Sequence, residues 1–254
     1  MSDVIVLCYH ALSSTWGAQL SVTPESFERQ IELLAQRGYR GVRFSEAVTS
    51  PQHERVVAIT FDDAYRSVLE IAWPILERFD LPATVFVPTD GIGTDGPLHW
   101  PGIDHWLDGP FERELAPMSW AELATLAAAG WEIGSHSGSH PHLTQLDDAA
   151  LEDELARSKA ACERHLTHPC DSLAYPYGDV DARVVAAATH AGYKAAATLP
   201  RRLVPLGPLE SPRIGVYRRD SDFRFRLKIS PTLRRLRRSA LWNLIGVAHR
   251  GPGA

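Results

Sequence analysis

Short apolar runs alternate along this chain with stretches whose apolar positions recur every three or four residues. Val4-Ile5-Val6-Leu7-Cys8-Tyr9-His10 is a β-rich run ending in polar-capable side chains. Thr23-Pro24-Glu25 opens a helical pattern with Phe27, Ile31, Leu34 and Ala35 on one face, stopped at Gly38. A threonine cap followed by proline suits a helix start, because proline tolerates the first turn. Gly41-Val42-Arg43-Phe44 reads as a short strand. Val56-Val57-Ala58-Ile59-Thr60-Phe61 reads as a strand buried on both faces, as in a parallel sheet.

A helix through Val68, Ile71, Ala72 and Leu76 comes next, then the strand Ala83-Thr84-Val85-Phe86-Val87. Residues 88–117, rich in Gly and Pro and carrying Trp100 and Trp106, read as an inserted loop of the lid or binding-edge kind. The alternation resumes with a helix Ser119 to Ala129, a strand Trp131 to Gly134, and a helix Asp147 to His165 capped by Asp147. Ser172-Leu173-Ala174-Tyr175 is strand-like, Val180 to Ala191 helical, and Tyr193 to Thr198 and Arg213 to Val216 supply last strands. Strand, helix, strand, helix predicts an α/β fold with a mostly parallel sheet, open or closed into a barrel. Chemistry in such folds gathers at the C-terminal ends of the strands.

Composition narrows the class. At 44% hydrophobic and 22% charged, the 254 residues are neither disordered nor fibrous. No apolar run is long enough for a membrane-spanning helix, and Met1 to Leu7 lacks a secretory signal pattern, so a cytoplasmic location is expected. Cys8, Cys162 and Cys170 are scattered and odd in number, which argues against a disulfide framework or a cysteine zinc site. Between Arg213 and Arg250, eleven Lys or Arg face only Asp220 and Asp222, a balance of +9 in a chain of net charge −5. Such a segment is either a solvated helix face or a tail that meets an anionic surface. Residues 230–254 are set apart as a basic helix or tail behind a domain of residues 1–229. Leu233, Leu236, Leu241 and Leu244 would form the apolar side of a helix over 230–249, and Arg234, Arg235, Arg237 and Arg238 its charge at an anionic membrane. No nucleic-acid partner is expected.

Three strand ends carry candidate chemistry. Thr60-Phe61-Asp62-Asp63 places two carboxylates where the chain turns, able either to cap a helix or to serve one site in two roles. His136-Ser137-Gly138-Ser139-His140 brings two imidazoles close across small residues, either as a His-rich polar loop or as ligands to one ion, with His142 nearby. One carboxylate with two imidazoles is a catalytic metal set that leaves positions open, and Asp63, His136 and His140 supply it. Ala174-Tyr175-Pro176-Tyr177-Gly178 could hold an amide N–H facing a pocket. A serine elbow is absent, since Gly134-Ser135-His136-Ser137-Gly138 has histidine at its centre, and Gly91-Ile92-Gly93 falls short of a dinucleotide fingerprint.

Together the three segments resemble the polysaccharide deacetylases, the family-four carbohydrate esterases that share the nodulation-factor deacetylase homology domain. Thr60-Phe61-Asp62-Asp63-Ala64 is similar to TFDDG, His136 to His140 matches H-[ST]-x-x-H, and Pro176-Tyr177-Gly178 matches PYG. The resemblance implies a single-domain, distorted (β/α) barrel of about seven parallel strands. It also implies metal-dependent removal of N-acetyl groups from saccharides. Asp62 would be the base, Asp63, His136 and His140 the ligands of one divalent ion, most naturally Zn2+, and the Tyr177 N–H an oxyanion donor. Three departures stand out. Ala64 replaces glycine, Ala174 stands where many members carry arginine, and no late Leu-x-x-x-His segment supplies an acid. Arg213 is the candidate replacement for the arginine, and His10, whose ordinary pKa near 6.5 suits proton donation, for the acid. Tyr9, Trp100, Tyr175 and Tyr177 offer faces for sugar stacking. The alternatives are a metal-dependent hydrolase of a non-sugar amide and a catalytically inactive sugar-binding homologue.

Overall fold

The structure is a computed structural model that describes residues 3–94, 96–200, 202–239 and 242. The chain runs β1 (Asp3–Tyr9), β2 (Ala11–Leu12), β3 (Ser21–Val22), α1 (Pro24–Gln36), β4 (Arg40–Gly41), α2 (Phe44–Thr49) and β5 (Arg55–Phe61). A π turn over Val68–Ala72 leads into α3 (Trp73–Glu77), then β6 (Ala83–Val87), α4 (Trp120–Ala128), β7 (Glu132–Ser135) and α5 (Asp148–Leu166). β8 (Ser172–Ala174), α6 (Ala182–His190), β9 (Ala195–Thr198), β10 (Ser211–Pro212), β11 (Ile214–Gly215), α7 (Asp222–Lys228) and α8 (Pro231–Arg238) complete it.

The main sheet is parallel and ordered β10-β9-β8-β7-β6-β5-β1-β11, with β4 joined to the start of β5. β10 pairs with β9 and β11 with β1, and only Arg213 stands between those two pieces. One extended segment therefore hands over from one side of the seam to the other. The Arg213 N–H donates to Thr198 O at 3.0 Å and the Val216 N–H to Cys8 O at 2.9 Å. The result is an α/β fold of a single domain whose seven strand positions nearly close into a barrel, as the family resemblance implied.

Alternation along each strand sorts the core into layers. Ile5, Leu7, Tyr9, Val57, Ile59 and Phe61 pack outward beneath α1 and its neighbours with Phe27 and Ile31. Val6, Val56, Ala58, Phe86, Ala174, Ala195 and Ala197 fill the interior, closed below by Phe44 and Ala47. Phe44 was expected to end a strand; it begins α2 instead, because its ring plugs the barrel floor and its N–H donates to Thr84 Oγ1. Gly134 faces the Phe86 ring, which a Cβ at that position would approach to 2.7 Å. The 88–117 loop is tied down beside the strand ends: Trp100, Leu98 and Leu115 cluster with Trp16 and Tyr65, and Met118 N–H donates to Ala64 O.

α8 corrects part of the tail reading. Arg234 is buried under the barrel, bonded to both Asp3 carboxylate oxygens and to Val4 O, so it is not part of an outward charged face. Of the expected 230–249 helix, the described part ends at Arg238, and Leu241 and Leu244 lie outside the described residues. No described helix is long and apolar enough to cross a membrane.

Gly134→Ala should therefore cost about 1–3 kcal/mol by overpacking against Phe86. A thermal melt of the purified variant checks it, with an unchanged midpoint as the contrary result. Asp3 supplies a pH test. Burial raises its pKa, but hydrogen bonds from Arg234 and Tyr39 outweigh that, leaving it below the ordinary value. A depressed carboxylate stabilises the fold above its unfolded pKa, and the gain disappears as pH falls through its folded pKa. Asp3→Asn should thus be less stable than the parent at neutral pH, with the difference shrinking below about pH 4 in urea titrations.

Candidate metal and catalytic centre

β1 and β5 run side by side in register, with Cys8 opposite Thr60 and Tyr9 opposite Phe61. Their inward parity carries past the strand ends to His10 and Asp62. Asp63 should point the other way, yet it sits at φ 71°, and this left-handed turn brings its carboxylate back to the same site. Ala64 follows at φ 55°, the conformation that glycine adopts freely and alanine at a cost of roughly 1–2 kcal/mol. Ser137, His140 and Tyr177 also have positive φ, so unfavourable backbone is concentrated in the three motif loops.

Asp63, His136 and His140 converge. One donor atom from each lies within 4.8 Å of the others, and Asp63 Oδ1 is 3.5 Å from Nε2 of both rings. His136 Nδ1 donates to Ala174 O at 2.7 Å, which leaves the Nε2 lone pair facing Asp63. Burial, followed by the neighbouring Asp62 charge, pushes the Asp63 pKa well above the carboxylate range. Burial lowers both histidines, so the rings are neutral, the form that ligates. Asp63 Oδ1 is buried without a hydrogen-bond partner. An orphaned carboxylate oxygen between two neutral imidazoles fits a divalent metal cation, whose charge would offset the cost of burying that anion.

Asp62 has a different environment. Arg213 grips it with two bonds, Nη1 to Oδ1 at 2.6 Å and Nη2 to Oδ2 at 2.7 Å. Nη1 also reaches Thr60 Oγ1 at 2.9 Å, and that hydroxyl donates to Leu7 O at 2.7 Å. The guanidinium carbon lies 5.4 Å from the Phe86 ring centre. Burial alone would raise the Asp62 pKa, but the Arg213 charge, with His136 and His10, drives it well below the usual range. Sequence reasoning missed Cys8, whose buried thiol donates to Asp62 Oδ2 at 3.4 Å; alternation from His10 places it inward. His10 is in the same group, with donor atoms of Cys8, His10 and Asp62 within 4.8 Å. Burial lowers its pKa to about 4, so the ring is neutral near pH 7 rather than ready to donate, as the ordinary value suggested.

The aromatic expectations need correction. Tyr9 is 0% exposed, packed on Phe27 and Phe61, with its hydroxyl on Gln30. Tyr175 is likewise buried outside the barrel, bonded to Leu209 O. Odd positions on β1 and β8 face the helices, so neither can meet a sugar. Trp100, 8% exposed, stacks on the His140 ring at 4.2 Å and braces it rather than offering an open face. Tyr177 is the open aromatic, 42% exposed, stacked on His142 at 4.0 Å and edge-on to His140.

Residues 49–196 match the family model described as polysaccharide deacetylase. The chain belongs to the polysaccharide deacetylase family. The matched span holds all three motif loops, while His10 and Arg213 lie outside it. Among relatives of this deacetylase-family chain, the Bacillus subtilis protein YxkH is 28% identical over 198 residues, covering 76% of this chain and 63% of its own length. A Staphylococcus aureus poly-beta-1,6-N-acetyl-D-glucosamine N-deacetylase is 26% identical over 182 residues, 67% of this chain and 58% of that protein. The chain thus spans less than two thirds of these relatives. The structure of the Streptococcus pyogenes deacetylase PplD, with acetate bound, shares the fold at a TM-score of 0.73 and 23% identity, over 90% of this chain and 99% of that one.

Arg213→Ala should destabilise the protein by about 3–5 kcal/mol, because it strands a buried carboxylate. Chemical denaturation measures this, and a loss below 1 kcal/mol would show that the pair is not buried as described.

Proposed function

We propose that this chain removes N-acetyl groups from an N-acetylated saccharide, with one divalent ion, Zn2+, held by Asp63, His136 and His140. One observation carries the reading: an ionised, guanidinium-held carboxylate lies beside a second carboxylate and two neutral imidazoles at the mouth of the barrel. The ion, when bound, can lower the pKa of water from 15.7 to about 7 and polarise an acyl oxygen. Asp62, kept anionic and aimed by Arg213, which Thr60 in turn holds, accepts the proton of the attacking water. The Tyr177 N–H, in its left-handed turn, donates to the acyl oxygen as that atom becomes anionic; one such donor contributes roughly 3–4 kcal/mol. The proton that Asp62 takes from water passes to His10, neutral at rest and with its ring nitrogen within 4.8 Å of Asp62, and from His10 to the departing amine as the C–N bond breaks. The open Tyr177 ring, backed by His142, offers a face to a sugar ring.

The substrate class draws support from the Staphylococcus aureus relative, whose name specifies a polymer of N-acetylglucosamine. A non-sugar amide would use the same chemistry and is separated by substrate choice. A sugar-binding homologue without activity would gain nothing from a buried ionised base, so that reading is disfavoured.

Acetate release from N-acetylated saccharides and from simple acetamides, with and without chelator, tests the proposal. Release from saccharides alone, abolished by chelator and restored by Zn2+, is expected. Asp62→Asn should keep bound metal and lose activity about 100-fold or more, whereas His136→Ala should lose the metal. Parent-like turnover in Asp62→Asn would remove it as the base.

A further inference from the structure

The loop His136–His140 adopts a conformation that it would not hold by itself. Ser137 and His140 both have positive φ, at 64° and 61°, and no glycine relieves either. Such backbone persists only where the surroundings over-determine it. The loop's own contacts are modest: Ser137 N–H to Ser135 Oγ at 3.2 Å and His140 N–H to Ser137 Oγ at 3.1 Å.

The strongest hold comes from α5. Glu154 is 7% exposed, although it looks like an ordinary helical glutamate in the sequence. Its Oε2 accepts from the Gly138 N–H at 2.8 Å and the Ser139 N–H at 2.9 Å, and its Oε1 from the Ser139 hydroxyl at 2.8 Å. Arg157 bonds both Glu154 and Asp90, and it lies over Gly138 so closely that a Cβ there would come within 2.6 Å of Nη1. From the far side, the Asp90 N–H donates to Gly138 O at 3.0 Å and the Thr89 N–H to Ser137 O at 3.2 Å. Charge-assisted bonds from a carboxylate to backbone amides are the strong kind. Two such bonds and one from the Ser139 hydroxyl converge on Gly138 and Ser139, two of the three residues that separate the ligands.

We propose that Glu154 is a positioning residue of this centre, clamping the loop in the conformation that brings His136 and His140 onto Asp63. It touches neither ring and acts through the backbone between them. The inference rests on the metal reading above. Outer partners of this sort commonly change metal affinity 10–100-fold when removed.

The test uses the full chain, with Zn2+ alone as probe. In Glu154→Ala, competition against a chelating indicator should show zinc affinity reduced about 10–100-fold. Glu154→Gln should recover much of it, since an amide oxygen can still accept from both N–H groups. Hydrogen exchange on the metal-free protein gives a second readout. The Gly138 and Ser139 amides should exchange at least about tenfold faster in Glu154→Ala, with the rest of α5 unchanged. Parent-like zinc affinity, parent-like exchange, or faster exchange throughout α5 would each overturn the clamp. Absence of zinc binding in the parent, with the local exchange effect intact, would sink the metal reading and leave the clamp on the loop standing. Should Glu154→Ala fail to fold, Ser139→Ala removes one bond of the three. A parent-like result in both readouts there would overturn the proposal.

Discussion

The buried ion pair between Arg213 and Asp62 is the constraint around which this barrel is arranged. Taking two charges out of water costs several kcal/mol each, recovered only where geometry is good and every remaining polar atom finds a partner. Here the guanidinium meets both carboxylate oxygens, adds Thr60, and rests against Phe86, with only its Nε left buried and unpartnered. Its position matters as much as its bonds. Arg213 is the residue between the strand pieces that pair with β9 and with β1, so the contact that holds Asp62 ionised also spans the seam of the barrel. Stability and the proposed chemistry are coupled through one side chain.

The small interior follows from that arrangement. Alanines at 58, 174, 195 and 197, and Gly134 against Phe86, leave a narrow barrel in which an arginine can cross from the seam to β5. Ala174, which departs from the family pattern, keeps its side a slim one. Its carbonyl sets the His136 tautomer instead.

Much of this was legible in the sequence, and the failures have a common cause. Apolar runs located the strands, strand ends located the three motif loops, and Asp63, His136 and His140 do meet. Arg213 entered as the replacement for an arginine that the family resemblance implies, not by spacing, since no local pattern links residues 151 positions apart. The aromatic misreadings came from ignoring alternation: counting back from an inward His10 puts Cys8 inside and Tyr9 outside. Phe44 escaped because four apolar-rich residues cannot distinguish a strand from a helix start. Glu154 left no trace, since its burial depends on a loop folding over α5.

Two adjacent carboxylates on one turn receive opposite environments, and this division gives the site its chemical sense. A shared medium would let the two charges repel, and one would take up a proton. The chain separates them by a backbone flip at Asp63. Asp62 faces a fixed cation within the protein, Arg213, and stays anionic whatever else binds. Asp63 faces neutral imidazoles and the neutral Tyr65 hydroxyl, with no guanidinium bonded to it, so its charge is costly until a mobile cation arrives. Pairs of groups whose surroundings drive their pKa values apart mark division of labour in active sites. By that logic the fixed guanidinium suits Asp62 to the proposed role of proton acceptor, and the missing counter-charge suits Asp63 to the proposed role of metal ligand. Exchanging the two roles would require moving Arg213, and with it the closure of the barrel.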